Sequence, residues 1–133
     1  MAGYSLFNYI FNVKDRHNGN ILLDSKGHLV HIDFGFMLQS APGGINFESA
    51  PFKLTQEYVD ILGGKDSEIF EYFKSLLIKG FLEVRKHLED ILIIIEICMK
   101  GSCMPCFVKP DQLFNEIRNR ISLKYNVSVK NES

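Results

Sequence analysis

The sequence predicts a mostly α-helical chain carrying one small β-hairpin, and three observations point there. Ile21-Leu22-Leu23 and Leu29-Val30-His31 are short apolar arms around Asp24-Ser25-Lys26-Gly27, a run of turn-forming residues. From Thr55 onward apolar residues recur at helical spacing, as in Ile69, Phe70, Phe73, Leu76 and Leu77, or Leu113, Phe114, Ile117 and Ile121. Helix punctuation brackets those stripes, with Thr55 and Ser67 as starts and Gly63-Gly64 and Gly101 as stops.

Taken in order, Tyr4 to Val13 is apolar and aromatic on most sides, the pattern of a buried helix. It is far shorter than the ~20 residues a spanning helix needs. The hairpin follows from Ile21 to His31. Phe36 to Lys53 lacks periodicity and holds Pro42, Gly43, Gly44 and Pro51, so it reads as a long loop of the functional or disordered kind. Thr55 caps a short helix through Leu62, with Glu57 in its first turn. Asp66 or Ser67 caps the next helix, which Gly80 interrupts without breaking. Ile91 to Ile97 has the propensity of a buried strand, but Lys86, Glu89, Asp90, Glu96 and Lys100 flank it at helical spacing, so a helix is expected from His87 to Met99. A turn at Pro105-Cys106-Phe107 precedes a last amphipathic helix opened by Pro110-Asp111. From Ser122 the chain turns polar, and no internal repeat is evident.

Composition narrows the function. At 133 residues the chain is one domain or part of one. A formal net charge of −1 gives no reason to expect nucleic acid as a partner. Three cysteines, an odd number, argue against a disulfide framework and suit a reducing cytosol. Cys103-Met104-Pro105-Cys106 is a single CxxC with only Cys98 nearby, too few ligands for structural zinc. Met1-Ala2-Gly3 starts neither a secretory signal nor a myristoylation motif.

Chemistry concentrates in Asp15-Arg16-His17-Asn18-Gly19-Asn20 and Ile32-Asp33-Phe34-Gly35, at the two feet of the hairpin. A hairpin returns its second strand beside its first, so Asn20 and Asp33 are expected to face one pocket. An amide oxygen and a carboxylate suit Mg²⁺ that already carries phosphate oxygens. Asp15 and His17 sit one short loop away, where a base for an attacking hydroxyl is needed. His17, His28, His31 and Asp33 could instead form a metal-hydrolase cluster, since His31 and Asp33 share a strand face. His31 is expected to pack and hydrogen-bond rather than ligate, and His28 to face solvent at the turn.

These residues carry a resemblance. Kinases place a catalytic Asp five residues before a metal-binding Asn and follow with Asp-Phe-Gly. Asp15, Asn20 and Asp33-Phe34-Gly35 keep that pattern, but here His17 follows the Asp. That order resembles the phosphatidylinositol 3- and 4-kinases. Val13 to Asp24, with His31 to Phe36, is similar to the type III phosphatidylinositol 4-kinases. Phe52-Lys53-Leu54-Thr55, Gly63-Gly64 and Gly101 through Phe107 extend the match. Arg85-Lys86-His87 and Phe47-Glu48 favour the beta type, whereas Pro42-Gly43-Gly44 is shared with the alpha type.

The resemblance implies the C-terminal lobe of a kinase-like fold over residues 1–121, with catalytic loop 15–20, metal-binding Asp-Phe-Gly 33–35, activation loop 36–54, helices 55–121, and a polar tail at 122–133. It implies transfer of the ATP γ-phosphoryl to the inositol ring of phosphatidylinositol at a membrane surface. Asp15, Arg16 and His17 would be catalytic, with either Asp15 or His17 as the base and Arg16 pairing a carboxylate. Asn20 and Asp33 would hold Mg²⁺, or Mn²⁺ in its place, and Lys53 would meet the substrate. A cytoplasmic enzyme, peripheral on membranes such as the Golgi, is the implied setting. Only fourteen residues precede Asp15, with no glycine-rich loop among them. The expectation is therefore a fragment whose missing partner is the N-terminal lobe of the parent kinase. Two alternatives stand beside it: a silent, truncated binding module, and a small-molecule phosphotransferase of the aminoglycoside kind.

Overall fold

The computed structural model describes residues 1–39 and 52–122. Most of the expected 36–53 loop and the expected polar tail lie outside the described residues. The observed order is α1 (Ala2–Ile10), β1 (Ile21–Leu23), β2 (Leu29–His31), α2 (Gln56–Ile61), α3 (Glu68–Lys86), α4 (Leu88–Met99), a 3₁₀ turn (Pro105–Phe107) and α5 (Pro110–Ile121). The chain is thus mostly helical with one two-stranded antiparallel hairpin.

Local chemistry accounts for most boundaries. Ser67, in extended conformation, caps α3 by accepting the Phe70 N–H at 3.0 Å. Gly63 and Gly64 end α2 with φ of +84° and +91°, a region that only glycine enters cheaply. Gly80 leaves α3 unbroken. A Cβ there would sit 2.5 Å from Leu6 Cδ1, so the absent side chain is what lets α1 lie close against α3. The isoleucine run is helical, as its polar flanks required, and Pro110 opens α5 at the position where no backbone donor is needed.

The core gathers Ile10, Leu38, Leu92, Ile95, Cys106, Leu113, Ile117 and Ile121. Leu113, Ile117 and Ile121 fall at four-residue steps on α5 and are fully buried. Two other stripes differ from expectation. On α3, Phe73 is buried while Ile69 and Leu76 stay exposed. On α1, Ser5, Asn8 and Ile10 are the buried positions and the aromatics are half-buried. Hydrophobic content alone does not say which face a neighbour covers, and α1 meets both α3 and a polar segment.

Tyr9 Oη donates to the Arg120 carbonyl at 2.9 Å, and Arg120 Nη1 donates to the Ile10 carbonyl at 3.0 Å, fixing α1 on α5. The Lys14 N–H then meets the Phe36 carbonyl at 2.8 Å, and the Leu38 N–H meets the Phe11 carbonyl at 2.7 Å. Residues 15–35 are therefore an excursion whose two ends are tied together against the helical core. Among the described residues no helix is long and apolar enough to cross a membrane.

Candidate functional site

The excursion is a hairpin of fixed register, pairing Ile21 with His31, Leu22 with Val30 and Leu23 with Leu29. Asp24 closes its tip. Its Oδ1 accepts the N–H groups of Lys26 and His28, each at 2.8 Å, and Gly27 supplies φ +84°. At the other end the Ile32 N–H donates to the Asn20 carbonyl at 2.9 Å, extending the pairing by one step. Asp33 begins one residue beyond that pair.

Arg16 organises this end. It is 2% exposed, a cost met by three charge-assisted hydrogen bonds. Nε donates to the Lys14 carbonyl at 3.0 Å, Nη1 to the Ile32 carbonyl at 2.8 Å, and Nη2 to the Asp33 carbonyl. The expected carboxylate pairing is thus corrected: Arg16 binds backbone carbonyls, because the left-handed turns on either side aim those carbonyls inward. The Phe34 ring lies 5.5 Å beneath its guanidinium, and Phe7 of α1 meets Phe34 edge-on.

Around this cation the other site residues are knotted. Asp15 and Asp33 both adopt positive φ, +60° and +55°, an uncommon state for non-glycine residues that clusters at functional sites. Asn20 is buried, and its Nδ2 donates to the Asp15 carbonyl at 2.8 Å while lying 3.2 Å from His17 Nε2. His17 is exposed, with its Nδ1 accepting the Gly19 N–H at 3.0 Å and its Nε2 3.8 Å from Asp15 Oδ1. A Cβ at Gly19 would stand 2.9 Å from the exposed His17 ring, so any other residue there would push that ring aside. Lys53, far along the chain, donates Nζ to the Arg16 carbonyl at 2.9 Å. All six expected site residues therefore meet in one network.

An open groove of about 680 Å³ adjoins the network, with Arg16, His17, Asn18 and Gly19 on one wall and Lys53, Glu57 and Tyr58 on the other. Asn20 and Asp33 lie outside its lining. They share the knot around Arg16 rather than that cavity, because Asn20 turns its amide inward and Asp33 faces solvent.

The donor chemistry suits a hard divalent ion. With Nδ2 spent on Asp15, Asn20 keeps Oδ1 as its acceptor, and Asp33 offers an exposed carboxylate whose Oδ1 accepts the Gly35 N–H at 3.2 Å. Among the described residues no group of three His, Cys, Asp or Glu could hold a metal by itself. Two oxygen ligands completed by phosphate and water oxygens is the mode Mg²⁺ favours.

The hydrolase alternative fails on geometry. His28 is exposed at the hairpin tip with Nδ1 2.8 Å from Asp24 Oδ2. His31 is buried and stacked on Tyr4, ring centroids 4.0 Å apart, while Asp33 points to solvent. Burial, then the Arg16 charge, hold the His31 pKa below its usual value. Tyr4, Tyr58 and Glu57 border the region without any sequence signal having marked them; they come from segments whose approach is purely tertiary.

Residues 1–108 match the family model described as phosphatidylinositol 3- and 4-kinase. A phosphatidylinositol 4-kinase of Dictyostelium discoideum is 53% identical over 126 residues, covering 95% of this chain and 11% of that protein. The phosphatidylinositol 4-kinase beta 1 of Arabidopsis thaliana is 53% identical over 127 residues, 92% of this chain and 11% of its own. The phosphatidylinositol 4-kinase beta of Danio rerio is 55% identical over 106 residues, 80% and 13%. The chain therefore spans a small part of the length of the curated relatives it matches.

Proposed function

The chain belongs to the phosphatidylinositol 3- and 4-kinase family, and from that premise we propose that residues 15–35 are the phosphoryl-transfer centre of a phosphatidylinositol 4-kinase. The observation that carries this reading is the knot of Asp15, His17, Asn20 and Asp33 around buried Arg16. The parent enzyme would move the γ-phosphoryl of ATP to a hydroxyl of the inositol ring of phosphatidylinositol, at a membrane surface. Residues 1–121 would belong to the C-terminal lobe of its kinase domain, with 36–54 as the activation loop and 55–121 as its helices.

When bound, Mg²⁺ or Mn²⁺ would neutralise charge on the transferring phosphates. Asn20 Oδ1 and the Asp33 carboxylate would hold it, each positioned by its bond into the knot. Asp15 is the proposed base. Nδ1 of His17 accepts the Gly19 N–H, and its Nε2 lies between the Asn20 amide and the Asp15 carboxylate. His17 stands beside Asp15 and would orient the incoming oxygen or its developing charge. Arg16 would position both feet of the hairpin through its bonds to the Lys14, Ile32 and Asp33 carbonyls. Lys53, on the groove rim, would meet the single phosphodiester of the lipid. From Phe36 to Phe52 the only charged side chain is Glu48, a loop unsuited to a headgroup bearing further phosphates, each near −1.5 to −2 in charge.

Grafting residues 1–122 in place of the matching segment of the Dictyostelium relative provides the test, with phosphatidylinositol and its mono- and bisphosphorylated forms offered in mixed micelles. Turnover of unphosphorylated phosphatidylinositol should dominate. Asp15→Asn should lower kcat by ~10²–10⁴-fold with ATP binding intact, and Asp33→Ala or Asn20→Ala should weaken the response to Mg²⁺. Full activity in Asp15→Asn together with a large loss in His17→Ala would move the base to His17. Equal turnover of the bisphosphorylated lipid would overturn the substrate assignment. A second reading gives the isolated segment a silent, binding role. Product formed by the chain alone and lost on Asp33→Ala would refute that silence.

A further inference from the structure

Asp15 adopts φ +60°, a left-handed state that persists only where its surroundings over-determine it. The restraint is visible in the backbone on either side. Four consecutive carbonyls, from Lys14 to His17, are each held by a donor. Arg16 Nε holds that of Lys14 at 3.0 Å, Asn20 Nδ2 that of Asp15 at 2.8 Å, and the Asn20 N–H that of His17 at 2.8 Å. Those three donors belong to the loop itself. The Arg16 carbonyl takes its donor from elsewhere: Lys53 Nζ, 2.9 Å away and 37 residues along the chain.

That carbonyl belongs to the peptide joining Arg16 to His17, directly after Asp15. The two ends of the 36–53 stretch are thereby fastened to the residues flanking Asp15. Phe36 gives its carbonyl to the Lys14 N–H at 2.8 Å, and Lys53 gives its ammonium to the carbonyl of Arg16. A bond to an ionised donor is stronger than a neutral one, which opposes the rotamer freedom of a long, exposed lysine. We propose that Lys53 is a positioning residue, which sets the turn of Asp15 and His17 by holding the Arg16 carbonyl.

The inference rests on the reading of residues 15–35 as the phosphoryl-transfer centre and gives the Lys53 ammonium a second duty. An ammonium carries three donors, so the bond to Arg16 leaves two for a lipid phosphodiester. Headgroup contact and placement of the base then pass through one side chain. The link also reaches further. Arg16 bonds the Ile32 and Asp33 carbonyls through its own guanidinium, so a residue held at its carbonyl by Lys53 holds the Asp33 foot in turn. A methionine at position 53 has similar reach but no donor, whereas an arginine keeps both charge and donors.

Two measurements test this, one of them independent of the assigned reaction. In the 133-residue chain, Lys53→Met should speed amide exchange at Gly19 and Asn20 about tenfold, the scale of one lost hydrogen bond. The α5 amides should not respond, and Lys53→Arg should restore protection. In the graft of residues 1–122 into the Dictyostelium relative, Lys53→Met should lower kcat for phosphatidylinositol by up to ~10²-fold. It should slow lipid-free ATP hydrolysis as well, where there is no phosphodiester to bind, and Lys53→Arg should recover most of both. A raised KM with kcat and lipid-free hydrolysis unchanged would leave Lys53 a substrate contact only and overturn the proposal. So would loop amides that stay protected in Lys53→Met, or α5 amides that accelerate equally. A graft with no phosphatidylinositol turnover even in the wild type would count against the assigned reaction instead, and amide exchange would still decide the role of Lys53.

Discussion

Leu113 of α5 and Arg16 in the loop before the hairpin are two of the most deeply buried residues among those described, at 0% and 2% exposure, yet they are buried for opposite reasons. Leu113 sits with Ile117, Ile121, Leu92 and Ile95 in an apolar cluster, where non-directional burial does the holding. Arg16 is enclosed by carbonyls and by the face of Phe34, and direction is everything there. The helical region loses apolar contact in proportion to the volume removed. The loop cannot shift Arg16 without releasing carbonyls on both feet of the hairpin at once. The two regions should therefore fail differently.

The largest expected effect separates them. Leu113→Ala should cost ~2–5 kcal/mol in a denaturant melt, because it removes transfer energy and leaves a cavity, while the register of the hairpin survives. Arg16→Met should cost on the order of 3 kcal/mol, since each carbonyl left buried and unpaired costs ~1–3 kcal/mol and some regain water. Its signature should be regional: amide exchange at Asn20 and Ile32 accelerates well before the amides of α5 respond. Equal acceleration in both regions, or protected hairpin amides in Arg16→Met, would dissolve the distinction between scaffold and site.

The same contrast explains what could be read in the sequence. The hairpin, its Asp24–Gly27 turn, the Ser67 cap, the Gly63-Gly64 stop and the α5 stripe were all legible, because each is fixed by neighbours close in the chain. The site was legible as a set of residue types at fixed spacing. What escaped was tertiary. Nothing in the sequence says that Asp15 and Asp33 take positive φ, or that this turns carbonyls rather than a carboxylate toward Arg16. Ser5 and Asn8 are buried on a helix whose aromatics looked better suited to the core, where α1 meets Arg16, the hairpin and Tyr58. Lys53 could be placed on the loop's end by sequence, but its bond to the Arg16 carbonyl could not.

A second expected effect concerns a face that neither mode of burial serves. On α4, Leu92 and Ile95 are buried while Ile93, Ile94 and Ile97 are exposed, Ile97 by 62%. Contiguous apolar surface of this kind promotes association once it exceeds a few hundred Å². The chain should therefore associate with rising concentration and bind hydrophobic dyes. The double change Ile94→Lys with Ile97→Lys should reduce both, with the helical signal unchanged. A monodisperse monomer with a sharp cooperative melt would show that the exposed face costs nothing in solution.

The smallest effect lies at the hairpin tip, where polar direction acts without burial. Asp24 is exposed, and its pKa falls below 3.8, first through the hydrogen bond from the His28 backbone, then through the His28 side chain. A folded-state pKa below the unfolded one means that the unfolded turn binds more protons in the window between them. The contribution of Asp24 is therefore present above about 3.8 and fades as pH falls through the lower, folded value. In an acid titration the Lys26 and His28 amides should lose their Asp24 bonds in that window, while Leu113 and Ile117, whose apolar cluster contains no carboxylate, show no matching change. Asp24→Asn keeps an acceptor oxygen for the turn but cannot titrate there, so its Lys26 and His28 signals should stay flat. If the variant bends with pH just as the wild type does, the acid response of the hairpin arises elsewhere, and Asp15 and Asp33 at its feet become the groups to titrate next.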